Sequence, residues 1–112
     1  MNAFEWFSAK TIYKHCIVNG GDERFVFEER IVLIQALDAE DAIKRGEAEA
    51  VEYCKKNPGV SYLNFIEVYF LQEESVSSGT EIYSGLRESK LSEKEYISHF
   101  YDTGNEIRQK TR

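Results

Sequence analysis

A chain of 112 residues, 42% apolar and 13% aromatic, holds material for one hydrophobic core and not for two. Its formal net charge of -6 excludes a nucleic-acid binder, whose surface would be basic, and opposes anionic membranes while suiting a basic partner. Two cysteines, Cys16 and Cys54, stand in no CxxC or CxxH spacing, so they exclude a zinc site and read as buried thiols in a reducing compartment.

Taken in order, the N-terminus MNAFEWFSAK lacks the basic and apolar regions of a signal peptide, and no stretch reaches the length of a membrane span. Cytoplasmic placement is the expectation. Phe4 to Val18 is rich in aromatic and β-branched residues and reads as a long strand. Asn19-Gly20-Gly21-Asp22 is a turn signal, and Arg24 to Ala36 is the returning strand of a hairpin. Within it Ile31 to Ile34 form a fully apolar run.

Asp38 has the position of a helix N-cap, its carboxylate three residues before the backbone N–H of Asp41. Ala39, Ala42, Ile43, Gly46, Ala50, Tyr53 and Cys54 then recur at helical spacing, opposite a charged side. Gly46 costs about 1 kcal/mol relative to Ala inside a helix, and a face of Ala and Gly lets the helix lie close on a sheet. Lys55-Lys56 and Asn57-Pro58-Gly59 end it.

Val60 to Gln72 is the most apolar strand, and a polar connection, 73–79, follows it. Thr80 to Ser84 reads as a short fourth strand. Ser92 with Glu95 makes a capping-box start for a short second helix, whose apolar side is Tyr96, Ile97, Phe100 and Tyr101. Gly104 to Arg112 is a polar tail expected to fray. The expected architecture is therefore α+β: an antiparallel four-stranded sheet with one main helix packed on one face, in the order β-β-α-β-β-α. Residues 1–103 form a single domain and 104–112 the tail.

The third long strand is apolar on both faces, with Tyr62, Ile66, Val68 and Phe70 on one and Leu63, Phe65, Tyr69 and Leu71 on the other. One helix covers one face. The other requires the C-terminal helix, a homodimer or another protein partner.

Catalytic chemistry finds little support. His15 and Cys16 are neighbours on a strand and point to opposite faces, so they form no dyad. Glu28 and Glu29 diverge for the same reason, and Glu73 and Glu74 lie in a loop. Neither GxxxxGK[ST] nor GxGxxG occurs, so no nucleotide and no other cofactor is expected. Trp6, Ser8 and Lys10 alternate onto one strand face. Glu67, a charge in an apolar strand, needs a partner, for which Lys10 and Arg30 are available. Glu81, Tyr83 and Ser84 follow a Ser- and Gly-containing loop suited to recognition.

Trp6-Phe7-Ser8-Ala9-Lys10, Leu33–Ala36, Asp38-Ala39-Glu40-Asp41-Ala42, Glu67-Val68-Tyr69 and Gly79-Thr80-Glu81-Ile82-Tyr83-Ser84 together resemble a family of short bacterial proteins, domain of unknown function 4288. The resemblance runs from about Phe4 to Ser84. It implies a small α+β domain without established activity, and it singles out Trp6, Ser8, Lys10, Glu67, Glu81, Tyr83 and Ser84 as candidate binding positions. The functional expectation is a non-enzymatic cytosolic protein-binding module, in its most concrete form an immunity-type inhibitor of a basic toxin. The alternative is a small-molecule-binding or enzymatic domain with a pocket around Trp6, Ser8, Lys10 and Glu67.

Overall fold

The computed structural model describes residues 3–19 and 22–107. β1 (Glu5–Asn19) and β2 (Asp22–Ala36) are two 15-residue strands in unbroken antiparallel register, with Glu5 opposite Ala36 and Asn19 opposite Asp22. At about 3.3 Å per residue such a ribbon is some 50 Å long, which accounts for most of the 57 Å long dimension of the molecule. The expected turn residues Gly20 and Gly21 lie outside the described residues.

α1 (Ala39–Lys56) follows directly. Asp38 caps it, accepting from the backbone N–H of Asp41 at 2.8 Å, while Glu40 and Asp41 occupy the first turn and Lys55 and Lys56 the last. Both charge placements complement the helix dipole. β3 (Val60–Phe70) then pairs antiparallel with the other edge of β1, so the sheet order is β2-β1-β3. Between Tyr62 and Ile66 the β3 ladder bulges against β1, and Asn64 takes the left-handed conformation there (φ 59°). Asn tolerates that region better than other non-glycine residues. α2 (Glu93–Phe100) carries the expected capping box between Ser92 and Glu95.

The sheet has three strands rather than four, and the order is β-β-α-β-α. Thr80 to Ser84 has the alternation of a strand but joins no ladder. Gln72 turns the chain at φ 64° immediately after β3, and Gly79 turns it again at φ 91°. The segment then lies over the sheet, held by side chains: the Tyr83 hydroxyl reaches Lys10 of the central strand.

Phe7, Ala9, Thr11 and Tyr13 of β1 point to α1 and are closed off from solvent. On the helix, Ala42, Gly46 and Ala50 face them. Small residues on both sides bring the two backbones close. A Cβ on Gly46 would stand 2.6 Å from Ile66 Cδ1 and 3.2 Å from Ala9 Cβ. The close approach thus leaves little room at Gly46, where a methyl would push the mobile end of Ile66 aside and press on Ala9 Cβ, and this accounts for a residue that costs helix propensity.

The substitution Gly46→Ala should lower stability by about 1 kcal/mol, despite the better helix propensity of Ala, because the added methyl overpacks the seam. Ile66→Val removes the atom nearest that methyl. In urea unfolding, the cost of Gly46→Ala should be smaller in the Ile66→Val background.

Candidate functional site

The pleat sends the other half of each strand to the outer face of the sheet, away from α1. In β1 these residues are Trp6, Ser8, Lys10, Ile12, Lys14 and Cys16. The register places Leu33 opposite Ser8, Ile31 opposite Lys10, and Phe27 opposite Lys14. On the β3 side Tyr69 is opposite Ser8 and Glu67 is opposite Lys10.

A polar seam crosses the middle of this face. Lys10 Nζ lies 3.5 Å from Glu29 Oε1 and 3.6 Å from Glu67 Oε2. It donates to the Tyr83 hydroxyl at 3.2 Å and sits 4.5 Å from the centroid of that ring. The Tyr83 hydroxyl in turn donates to Glu67 at 3.5 Å, and Tyr69 donates to Glu81 at 2.7 Å. Burial works against the Lys10 charge, but the Tyr83 hydrogen bond and the carboxylates of Glu67 and Glu29 outweigh it and raise its pKa above the usual lysine value.

The structure thus joins Lys10, Glu67, Tyr83 and, through Tyr69, Glu81. Of the two cations available to Glu67, it selects Lys10. Arg30 lies opposite Thr11 on the inner face, where it grips Glu49 through both guanidinium nitrogens at 2.6 and 2.9 Å and stacks 3.9 Å from the Tyr53 ring. Ser8 is 1% exposed. Trp6 accepts through its backbone carbonyl from Leu71 N–H, and Ser84 is exposed. Where the small-molecule reading needs an opening beside Lys10, the ring of Tyr83 stands instead.

Either side of the seam the face is apolar. Phe25, Phe27, Ile31, Leu33, Leu63 and Phe65 are all exposed, Phe27 at 63%. Each belongs to the outward set of its strand, so they form one surface rather than scattered side chains. A monomer seldom leaves such a surface uncovered. α2 does not cover it: all contacts between elements are among β1, β2, β3 and α1.

Sequence reasoning missed the inner cluster at the hairpin's far end. His15 Nε2 is 2.7 Å from Glu28 Oε1, and the Tyr53 hydroxyl donates to both Glu28 oxygens at 2.9 and 3.0 Å. Burial and the Glu28 charge push the Tyr53 pKa up. Locating the turn at Gly20-Gly21 fixes the register, and with it Glu28 next to His15, so that signal was present. The expected burial of both thiols also fails. Cys16, in the outward set of β1, is exposed, and Cys54 is half-buried. Glu28 and Glu29 do diverge, toward His15 and Lys10 respectively. Among the described residues, no group of three His, Cys, Asp or Glu could hold a metal ion, and no helix is long and apolar enough to cross a membrane.

Replacing Lys10 with Met should release residues 80–84 from the sheet and cost about 0.5–1 kcal/mol, read by urea unfolding and by faster amide exchange in that segment. The folded-state pKa of Lys10 is raised above 10.5. The stabilisation is therefore complete below the unfolded value and is lost as pH climbs through the folded one. The difference between the wild-type chain and Lys10→Met should shrink above about pH 10.5.

Comparison with curated proteins finds no match, and comparison with solved structures finds none. Residues 6–84 match the profile of a family described as Domain of unknown function (DUF4288). That span begins at Trp6, ends at Ser84, and takes in all of the sheet but Glu5, with α1 and the segment tethered by Tyr83. The chain belongs to the DUF4288 family, with α2 and its connection lying beyond the matched region.

Proposed function

We propose that the chain is a non-enzymatic protein-binding module of the cytosol whose interface is the outer sheet face. The observation that carries this reading is the set of exposed Phe, Ile and Leu side chains on either side of the polar seam of that face. Burying the exposed half of one such side chain contributes roughly 1 kcal/mol, so the six together offset a large share of the cost of association. The polar seam gives the face a register, because a partner must match charges at Lys10, Glu29 and Glu67 as well as cover the apolar flanks.

The more concrete version, an immunity-type inhibitor of a basic toxin, draws its support from the net charge of -6 carried by the whole chain. Such a charge attracts a cationic protein and speeds encounter.

The test uses the full chain as bait beside Phe27→Asp and Phe65→Asp. Both positions are exposed, so both variants should keep the fold, checked by circular dichroism. The expected result is that bound protein, including a differently tagged copy of the chain, is held more than about tenfold less well by the variants. Equal recovery by all three baits overturns the reading. For the toxin version, the recovered protein should be cationic and its capture should fall with added salt.

A further inference from the structure

We infer that the C-terminal arm is a strap that lies against the Phe25 and Phe27 end of the outer sheet face and competes there with the protein partner. This rests on the reading of that face as a protein interface and adds a regulator carried by the same chain.

The arm is closed on itself. Arg87 donates to the Tyr96 hydroxyl at 2.9 Å and stacks 3.9 Å from the Phe100 ring. The Tyr96 ring meets those of Phe100 and Tyr101 at 4.7 and 5.9 Å. The aromatic side of α2 thus packs on its own connection, while α2 touches neither the sheet nor α1. Helices of eight residues are marginal alone. This cluster and the capping box between Ser92 and Glu95 keep α2 formed. The unit meets the domain at its two ends. At the first, the Tyr83 hydroxyl holds the chain to Lys10 at mid-sheet.

The second end is aimed back at the hairpin. The backbone N–H groups of Tyr101 and Asp102 both donate to the Ile97 carbonyl, at 2.9 and 2.7 Å, and Gly104 then turns the chain at φ 92°. Glu106 fastens the turn: its carboxylate accepts from the Thr103 backbone N–H at 2.7 Å and from the Thr103 hydroxyl. Asn105, Glu106 and Ile107 so become one wall of a cleft of about 750 Å³ whose other wall includes Phe25, Phe27 and Glu29, three outward residues of β2. A side chain at position 104 would strain the backbone there, so the aim depends on that glycine.

The contact is loose enough to open. Ile107 is 81% exposed and Phe27 is exposed as well, so the strap stands beside the apolar end of the face without sealing it, as suits a segment that a partner displaces. Tethering makes a weak contact effective, because a linked segment competes at an effective concentration of roughly millimolar. Charge gives the competition its selectivity. From Ile107 the sequence runs on as Arg108-Gln109-Lys110-Thr111-Arg112, outside the described residues, with three of the chain's 14 Lys and Arg and no carboxylate. The exposed carboxylate of Glu29 stands on the opposite wall. A cationic partner contends for it with the chain's own cations.

The test uses the full chain and the dye 1-anilinonaphthalene-8-sulfonate, which brightens on exposed apolar surface. Ile107→Ser removes the apolar residue of the strap at an exposed position, and Gly104→Ala spoils the turn through the backbone alone. Both variants should raise the dye's fluorescence about twofold over the wild-type chain. A chain with Cys16→Ser and Cys54→Ser that also carries Phe25→Cys and Ile107→Cys should be joined within itself by a short bis-maleimide. As bait, the joined chain should hold bound protein, including a differently tagged copy, more than about tenfold less well than the same chain with each thiol capped. Unchanged fluorescence in both variants, or links only between chains, overturns the strap. If joined and capped baits recover equal amounts while Phe27→Asp recovers less, the strap fails and the outer-face interface stands. If all of these baits recover the same amount, both readings fail.

Discussion

The seam where Gly46 rests on Ala9 governs the rest of the molecule. Ala42 and Ala50 flank the contact on the helix, and with little side-chain volume between the backbones α1 settles over the middle of the sheet. That closeness costs contact breadth: a thin seam of small residues leaves large side chains to seal only its ends. Phe7 fills the space at one end, against the Phe70 ring at 5.4 Å. Tyr13 fills the other, edge-on to Tyr53 at 4.9 Å. The Phe, Ile and Leu of the outer set stay exposed, and among the described residues no further long helix exists to take them.

Features written in short-range chemistry were legible in the sequence. Asp38 before Asp41 and Ser92 before Glu95 cap helices because a side chain three residues away can reach a free backbone N–H, which depends on no distant partner. The two-sided apolarity of β3 was legible for a similar reason, since strand parity assigns faces by counting. Thr80 to Ser84 shows where counting stops. Its alternation meets the local requirement for a strand, but a strand also needs an open ladder beside it, and the chain reaches this segment above the sheet rather than at an edge. What holds it is one cation and two phenols.

The candidate residues divide along the same line. Glu67 was legible as a charge needing a partner and Lys10 as one of two candidates, while Glu81 and Tyr83 were legible only as part of a recognition loop; the structure brings the loop onto that pair. Choosing between Lys10 and Arg30 for Glu67 required knowing which face Arg30 occupies, and that follows from its pairing with Thr11. The pairing of His15 with Glu28 also followed from the hairpin register, yet the third member, Tyr53, comes from α1 and could not be read from strand parity. Contacts between elements far apart in sequence depend on how the helix settles, and that in turn depends on Gly46.

Among the described residues β2 has a neighbour on one side only. Its other flank is a long edge uninterrupted by proline, which is the template that cross-β assembly uses. Glu28, Glu29 and Arg30 sit in the middle of this edge and act as gatekeepers against in-register parallel stacking, which would bring like charges together. The long hairpin thus carries its own guard against becoming a fibre.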